Sequence, residues 1–249
     1  AEFVADELRQ VGIDAKVVQS RNPDGTPGAW EVIGSKIVDP QAPTVLLYAH
    51  HDVQPVPDPS AWDTDPFVAT EVGTRLYGRG SADDGGGIAI HSGAMKALGD
   101  DLKVNIKVFV EGEEEIGSPS LKRILAAHAN RLSAGVFVIA DSVNWQVGEP
   151  AFTTTLRGLA DCIVEVATLD HGLHSGMWGG VVPDAVSVLV RLLASLHDDN
   201  GNVAVEGLHE GSAADVEYSD EQVREETGML DGVTQIGSGS VADRLWAKP

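Results

Sequence analysis

Three short apolar runs each lead into residue types that bind metal ions or move protons. Thr44–Ala49 (TVLLYA) is followed by His50, His51 and Asp52, and Ile106–Val110 (IKVFV) by Glu111, Gly112, Glu113, Glu114 and Glu115. Gly135–Ala140 (GVFVIA) is followed by Asp141. A fourth cluster, Asp83-Asp84-Gly85-Gly86-Gly87, sits in a glycine-rich turn just ahead of a helical stretch. In open parallel α/β sheets, ligands bind in the crevice beyond the carboxyl ends of the strands. Acid and imidazole groups converging on that edge repel one another unless a cation lies between them. Histidine with carboxylates and no cysteine suits zinc, manganese or cobalt in a hydrolytic site. Singly, these residues have blander readings. An Asp after a strand, Asp83 or Asp141 included, is commonly a helix N-cap, and Glu113-Glu114-Glu115 alone would be a solvated turn. Their joint placement at strand ends is what points to a site.

Rival chemistries fail residue by residue. Gly78-Arg79-Gly80 lacks the third glycine of a dinucleotide fingerprint, because Asp83 stands there. The chain has no Walker lysine, no His-Glu-x-x-His and no Gly-x-Ser-x-Gly elbow. The single cysteine, Cys162, excludes a disulfide framework within the chain and a cysteine-rich zinc site. It falls in a predicted strand and reads as buried packing. His51, His91, His128, His197 and His209 read as structural or surface residues. His91 shares a stripe with Ile88, Met95 and Leu98 and reads as a satisfied core histidine.

The elements that must position these groups follow from periodicity. Phe3, Val4, Leu8 and Val11 predict a short N-terminal helix. The three apolar runs are β-branched and nearly continuous, the pattern of strands buried on both faces. Ile88, Met95 and Leu98 mark one intervening helix, and Leu121, Ile124, Leu125 and Leu132 another. This alternation predicts an α/β layer with a largely parallel sheet flanked by helices. After about residue 150 the texture changes. Phe152–Leu156 and Cys162–Ala167 read as strands, and 183–197 as a helix started by Pro183, with Val186, Leu189, Val190, Leu193 and Leu196 on one face. Residues 1–152 are therefore expected to form most of a catalytic domain, and 153–249 part of a smaller α+β domain. Residues 206–231 hold nine acidic residues and one Arg and read as a solvated stretch.

With 17 Lys and Arg against 38 Asp and Glu, the formal charge is −21, which argues against nucleic acid or an anionic membrane as a partner. At 43% hydrophobic, the 249 residues suffice for a core. No apolar run approaches the roughly 18 residues of a membrane span, and the acidic, amphipathic N-terminus is no signal peptide. A cytoplasmic location is the expectation.

His50-His51-Asp52-Val53-Gln54-Pro55, then Trp62-Asp63-Thr64-Asp65-Pro66-Phe67, then Leu76-Tyr77-Gly78-Arg79-Gly80-Ser81-Ala82-Asp83-Asp84, resemble the M20 family of metallopeptidases, in particular its carnosinase-like dipeptidase branch. Glu111-Gly112-Glu113-Glu114-Glu115-Ile116-Gly117-Ser118, Ala140-Asp141-Ser142 and Leu173-His174-Ser175-Gly176 continue the match in order. The resemblance implies that His50 and Asp141 bind one divalent ion, that Asp83 bridges two, and that Glu115 holds the second. It makes Glu114 the general base, Asp52 the carboxylate behind His50, and His174 a lid residue reaching the active site of a neighbouring subunit. It also implies a cis peptide between Asp83 and Asp84.

Two metals about 3.5–4 Å apart can share a water and lower its pKa toward ~7. The carboxylate that takes and returns the proton cannot itself be tied to metal, so adjacent Glu114 and Glu115 divide the two tasks. His174 would add a donor where negative charge develops. The implied activity is two-metal hydrolysis of the amide bond of dipeptides or short peptides by a homodimer. Zinc is the expected metal, and the same ligands serve manganese or cobalt. An N-acyl-amino-acid amidohydrolase on the same fold is the alternative, with a non-catalytic metal-binding or dimerisation fragment as the rival from another class. The sequence departs from the family at Gly85, where Lys is usual. The family's last metal ligand, a His near the end of a much longer chain, has no match, so a longer molecule is implied.

Overall fold

Val4, Ala5 and Leu8 recur at helical spacing and bury one face of α1 (Glu2–Gln10). A hairpin follows, β1 (Asp14–Arg21) and β2 (Pro27–Lys36), then β3 (Thr44–His50) and a small ribbon of β4 (Thr70–Val72) and β5 (Arg75–Tyr77). Next come α2 (Gly85–Leu98), β6 (Asn105–Glu111), the short helices α3 (Leu121–Ala127) and α4 (Ala129–Leu132), and β7 (Val136–Ile139). The computed structural model describes residues 1–142, 144, 148–153, 156, 158–208, 219–230 and 232–246. It divides into two compact units at Ser142/Val143, whereas the sequence changes texture near 152.

The five-stranded sheet of the first unit has the order β1-β2-β6-β3-β7. β3 runs parallel to both β6 and β7, while β2 is antiparallel to β1 and β6. The sheet is thus mixed. Its parallel half is built from the three expected runs, and the antiparallel half from a hairpin that periodicity did not single out. Polar Glu31 and Ser35, together with Gly28 and Gly34, interrupt the alternation that would mark β2 as a strand.

Both faces of β3 and β6 are covered, which is why these strands read as unbroken apolar runs, whereas β7 at the sheet edge is exposed along its length and is not the doubly buried strand expected of Gly135–Ala140. On one face Leu47, Ala49, Ile106, Val108 and Val110 pack with Val4, Ala5 and Leu8 of α1 and Met95 of α2. On the other, Leu46, Phe109 and Ile33 pack with Ile124 and Leu132. Truncating such a buried Leu or Ile to Ala costs ~2–5 kcal/mol.

The second unit contains α5 (Ser175–Trp178), α6 (Ala185–Ala194), α7 (Asp220–Glu226) and α8 (Val241–Trp246). α6 is the helix expected over 183–197, started by Asp184, whose carboxylate accepts from Ser187 N at 2.8 Å. The strand expected at Cys162–Ala167 is absent, and Cys162 is exposed rather than buried packing. A strand needs a partner for its backbone groups, and these residues have none among the described residues. The strand expected at Phe152–Leu156 falls partly outside the described residues, as do most of the acidic stretch and the side chain of Trp246. Among the described residues no helix is long and apolar enough to cross a membrane.

Candidate metal centre

Parallel pairing sets the site's first dimension. His50 pairs with Glu111 across β3 and β6, and Tyr48 with Ile139 across β3 and β7, so His50, Glu111 and Asp141 emerge at one edge. Asp83 arrives from the loop before α2. The N-cap of that helix is Asp84 and not Asp83. Its buried carboxylate accepts from Gly87 N at 2.9 Å and from His50 N at 3.1 Å, tying the helix to the end of β3. This leaves Asp83 free to face His50, and the Asp83–Asp84 peptide is cis. Gly87 is required by close approach, since a Cβ there would lie 2.2 Å from Asp84 Oδ1 and 2.3 Å from the carbonyl of Ala140.

His50, with no exposed surface, is the hub. Its Nε2 lies 2.8 Å from Asp83 Oδ1, 3.9 Å from Glu114 Oε2 and 4.0 Å from Asp141 Oδ1. On the opposite side of the ring, Nδ1 donates to the carbonyl of Asp52 at 3.1 Å, with Asp52 Oδ1 at 3.4 Å. That arrangement leaves Nε2 as the ring's free ligand atom. The Asp52 carboxylate also accepts from the backbone N–H groups of Glu114 at 3.2 Å and Glu115 at 3.0 Å. Gln54 Nε2 donates to Glu115 twice, to its carbonyl at 2.8 Å and to Oε2 at 3.0 Å. Two ligand groups result, His50–Glu114–Asp141 and His50–Asp83–Glu115, the atoms of each lying within 4.8 Å of one another. Glu114, expected to be the base, is thus as near His50 as Asp141 is. His174 lies in the second unit, where its Nδ1 accepts from Gly176 N at the start of α5.

The electrostatics fit a bound cation. Every ion pair of His50 is with a carboxylate, and among the described residues no Lys or Arg forms an ion pair with Asp52, Asp83, Glu114 or Asp141. Burial opposes protonation of His50, but the Asp83 hydrogen bond and the charges of Asp141 and Asp52 outweigh it and raise its pKa. Burial, and then the charges of Asp141, Glu115 and Asp52, raise that of Glu114. Burial pushes Asp84 up to about 6. One imidazole and several crowded carboxylates form the donor set of a zinc- or manganese-type site, and a divalent cation would relieve their repulsion.

Of the carboxylates beneath this set, sequence reasoning named Glu111 and Glu113 only as members of the strand-end run, without their partners, and missed Glu31 altogether. Glu113 is buried, its carboxylate accepting from Ser120 N and from Ala29 N. Glu111 is buried and accepts from the Tyr48 hydroxyl at 2.8 Å. Glu31, in the middle of β2, accepts from Gly112 N at 2.7 Å, and burial pushes its pKa up to about 7. The available signal was a lone charge inside an apolar stretch (WEVIG around Glu31), which names no partner. His51 donates from Nε2 to the carbonyl of Trp30 at 2.7 Å, and His91 to that of Tyr48 at 2.8 Å. Neither ring joins the ligand groups.

Residues 46–239 match the model of peptidase family M20/M25/M40. A cysteinylglycine-S-conjugate dipeptidase of Corynebacterium striatum is 37% identical over 257 residues, which is 100% of this chain and 55% of that protein. A Beta-Ala-His dipeptidase of Rattus norvegicus is 36% identical over 221 residues, 85% of this chain and 45% of that protein. The crystal structure of human carnosine dipeptidase 1 superposes with a TM-score of 0.66 at 28% identity, over 99% of this chain and 56% of that one. The chain spans about half the length of the curated relatives it matches. With the motif residues converging on one sheet edge and a family match that covers most of the sequence, the chain belongs to peptidase family M20/M25/M40.

Proposed function

We propose that the chain carries the metal-binding part of a metal-dependent hydrolase that cleaves the amide bond of dipeptides. The observation that carries this reading is the convergence of Asp83, Glu114 and Asp141 on the buried Nε2 of His50. Its support from comparison is that the relatives are themselves dipeptidases. His50, Asp83 and Asp141 would hold one divalent ion, and Asp83 with Glu115 a second, zinc being the expected metal and manganese or cobalt compatible with the same donors. Divalent ions held there would supply a Lewis acid and a water of lowered pKa.

The chain's own residues divide the remaining work. Asp52 fixes the His50 ring through Nδ1 and, through two backbone N–H groups, the orientation of Glu114 and Glu115. Glu114, its pKa raised by burial and neighbouring charge, takes a proton at its carboxylate and returns it to the leaving amine. His174 would donate a hydrogen bond to the developing oxyanion from the partner subunit of a homodimer in the cytoplasm. A panel containing Cys-Gly, β-Ala-His and N-acetylated amino acids tests the reading. Chelator-sensitive release of free amino acids from the dipeptides is expected. Cleavage of the acylated substrates alone would move the assignment to an amidohydrolase, and no cleavage with tight metal binding would leave a non-catalytic metal module.

A further inference from the structure

The turn that carries Glu114 and Glu115 leaves the sheet at Gly112 and must present both carboxylates to His50. Two residues of β2 hold its base, and Trp30 between them holds the neighbouring His51 at the end of β3. Ala29 N donates to Glu113 Oε2 at 3.4 Å, the carbonyl of Trp30 accepts from His51 Nε2 at 2.7 Å, and Glu31 Oε2 accepts from Gly112 N at 2.7 Å. The two carboxylates are exchanged. Glu31 belongs to the strand and takes a backbone N–H of the turn, whereas Glu113 belongs to the turn and takes a backbone N–H of the strand. Glu113 also takes Ser120 N at the head of α3, closing the far end of the same turn. Both side chains are nearly inaccessible, Glu31 at 1% and Glu113 at 3% exposed. Gly112 is wedged against the same strand, because a Cβ there would sit 2.5 Å from the carbonyl of Trp30.

We propose that Glu31 and Glu113 are positioning residues: a reciprocal carboxylate-to-backbone lock between β2 and the 112–120 turn sets the orientation of Glu114 and Glu115. Neither touches the ligand atoms, and both act through the turn's backbone. This inference rests on reading Glu114 and Glu115 as site residues, and it makes an asymmetric demand on chemistry. Glu113 uses both oxygens as acceptors. In Glu113→Gln one of them becomes an NH2 facing an N–H, and the lock opens. Glu31 takes the Gly112 N–H on Oε2 alone, and among the described residues its other oxygen, beside the Ser20 hydroxyl, takes no backbone N–H of the turn. Glu31→Gln therefore keeps the one acceptor required, whereas Glu31→Ala removes it.

The test is amide hydrogen exchange on the metal-free 249-residue chain, followed by titration with Co²⁺. The amides of Glu114 and Glu115 are held by Asp52 and not by the lock, so they report its effect at one remove. Glu113→Gln and Glu31→Ala should lower protection at both amides at least tenfold and weaken Co²⁺ binding at least tenfold. Val108 and Ile33 in the core should keep their protection in a folded Glu31→Ala chain, and Glu31→Gln should protect Glu114 and Glu115 and bind Co²⁺ at least as well as the parent. Unchanged Glu114 and Glu115 amides in a folded Glu31→Ala chain would overturn the lock, as would Glu31→Gln proving as damaging as Glu31→Ala. If Glu113→Gln does not fold, the Glu31 pair decides alone. A parent chain that binds no Co²⁺ would instead overturn the metal reading, while the exchange data still decide the lock.

Discussion

Replacing Glu31 by Gln should change how stability depends on pH, in a direction opposite to ordinary acid denaturation. Burial raises the Glu31 carboxyl from its ordinary 4.5 to about 7. Between those values the folded chain keeps a proton that the unfolded chain has released. The unfolded state then binds fewer protons, so the free energy of unfolding falls as pH rises. The stabilisation is fully present below pH 4.5 and gone above about 7. At 1.36 kcal/mol per pKa unit, the gap is worth about 3 kcal/mol. Glu31→Gln cannot ionise and keeps the acceptor for Gly112 N, so it escapes this loss. Urea unfolding of both chains at intervals from pH 4.5 to 8, with chelator present to exclude metal linkage, should show the variant gaining about 3 kcal/mol on the parent across the range. A difference between the two chains that stays constant with pH would refute the argument, because it would mean that Glu31 is ionised throughout.

Glu114→Gln should leave bound metal nearly unchanged while removing ~10²–10⁴-fold of turnover, because a proton acceptor is lost and not a ligand. Glu115→Gln should lose metal first, and metal analysis beside kinetics separates the two. Metal lost in parallel with activity in Glu114→Gln would make that residue a ligand, as its place in the His50–Glu114–Asp141 group allows. Gly112→Ala should destabilise by ~1–3 kcal/mol, because its Cβ would meet the Trp30 carbonyl at 2.5 Å. Gly93→Ala, in α2 with nothing within 4 Å, should stabilise by ~0.5–1 kcal/mol, and thermal melts of the two provide the contrast. If His174 acts across a dimer, mixing inactive His174→Ala subunits with inactive Glu114→Gln subunits should restore part of the activity. Demonstrated subunit exchange with no recovery would exclude the trans role.

Much of this molecule was legible in its order of residues, for reasons that are local. Continuous β-branched runs favour strands, so β3, β6 and β7 could be named from composition, and with them the chemistry waiting at their ends, although only β3 and β6 are buried. The stripe Ile88–Met95–Leu98 located α2, and Pro183 located the start of α6, while its Asp184 cap came only from the structure. Only tertiary structure decided the rest. That Asp84 caps α2 and leaves Asp83 to face His50 depends on His50 N lying within 3.1 Å, a contact across 34 positions. Two adjacent, chemically identical carboxyls cannot be told apart by type. The β1–β2 hairpin was hidden by its polar and glycine positions, and the purpose of Glu31 appears only where the Gly112 N–H arrives from 81 residues away. The apolar stretch at Cys162–Ala167 marks the same limit from the other side. β-branched residues favour a strand, but a strand exists only where a neighbour accepts its hydrogen bonds, and that neighbour is a property of the fold and not of the segment.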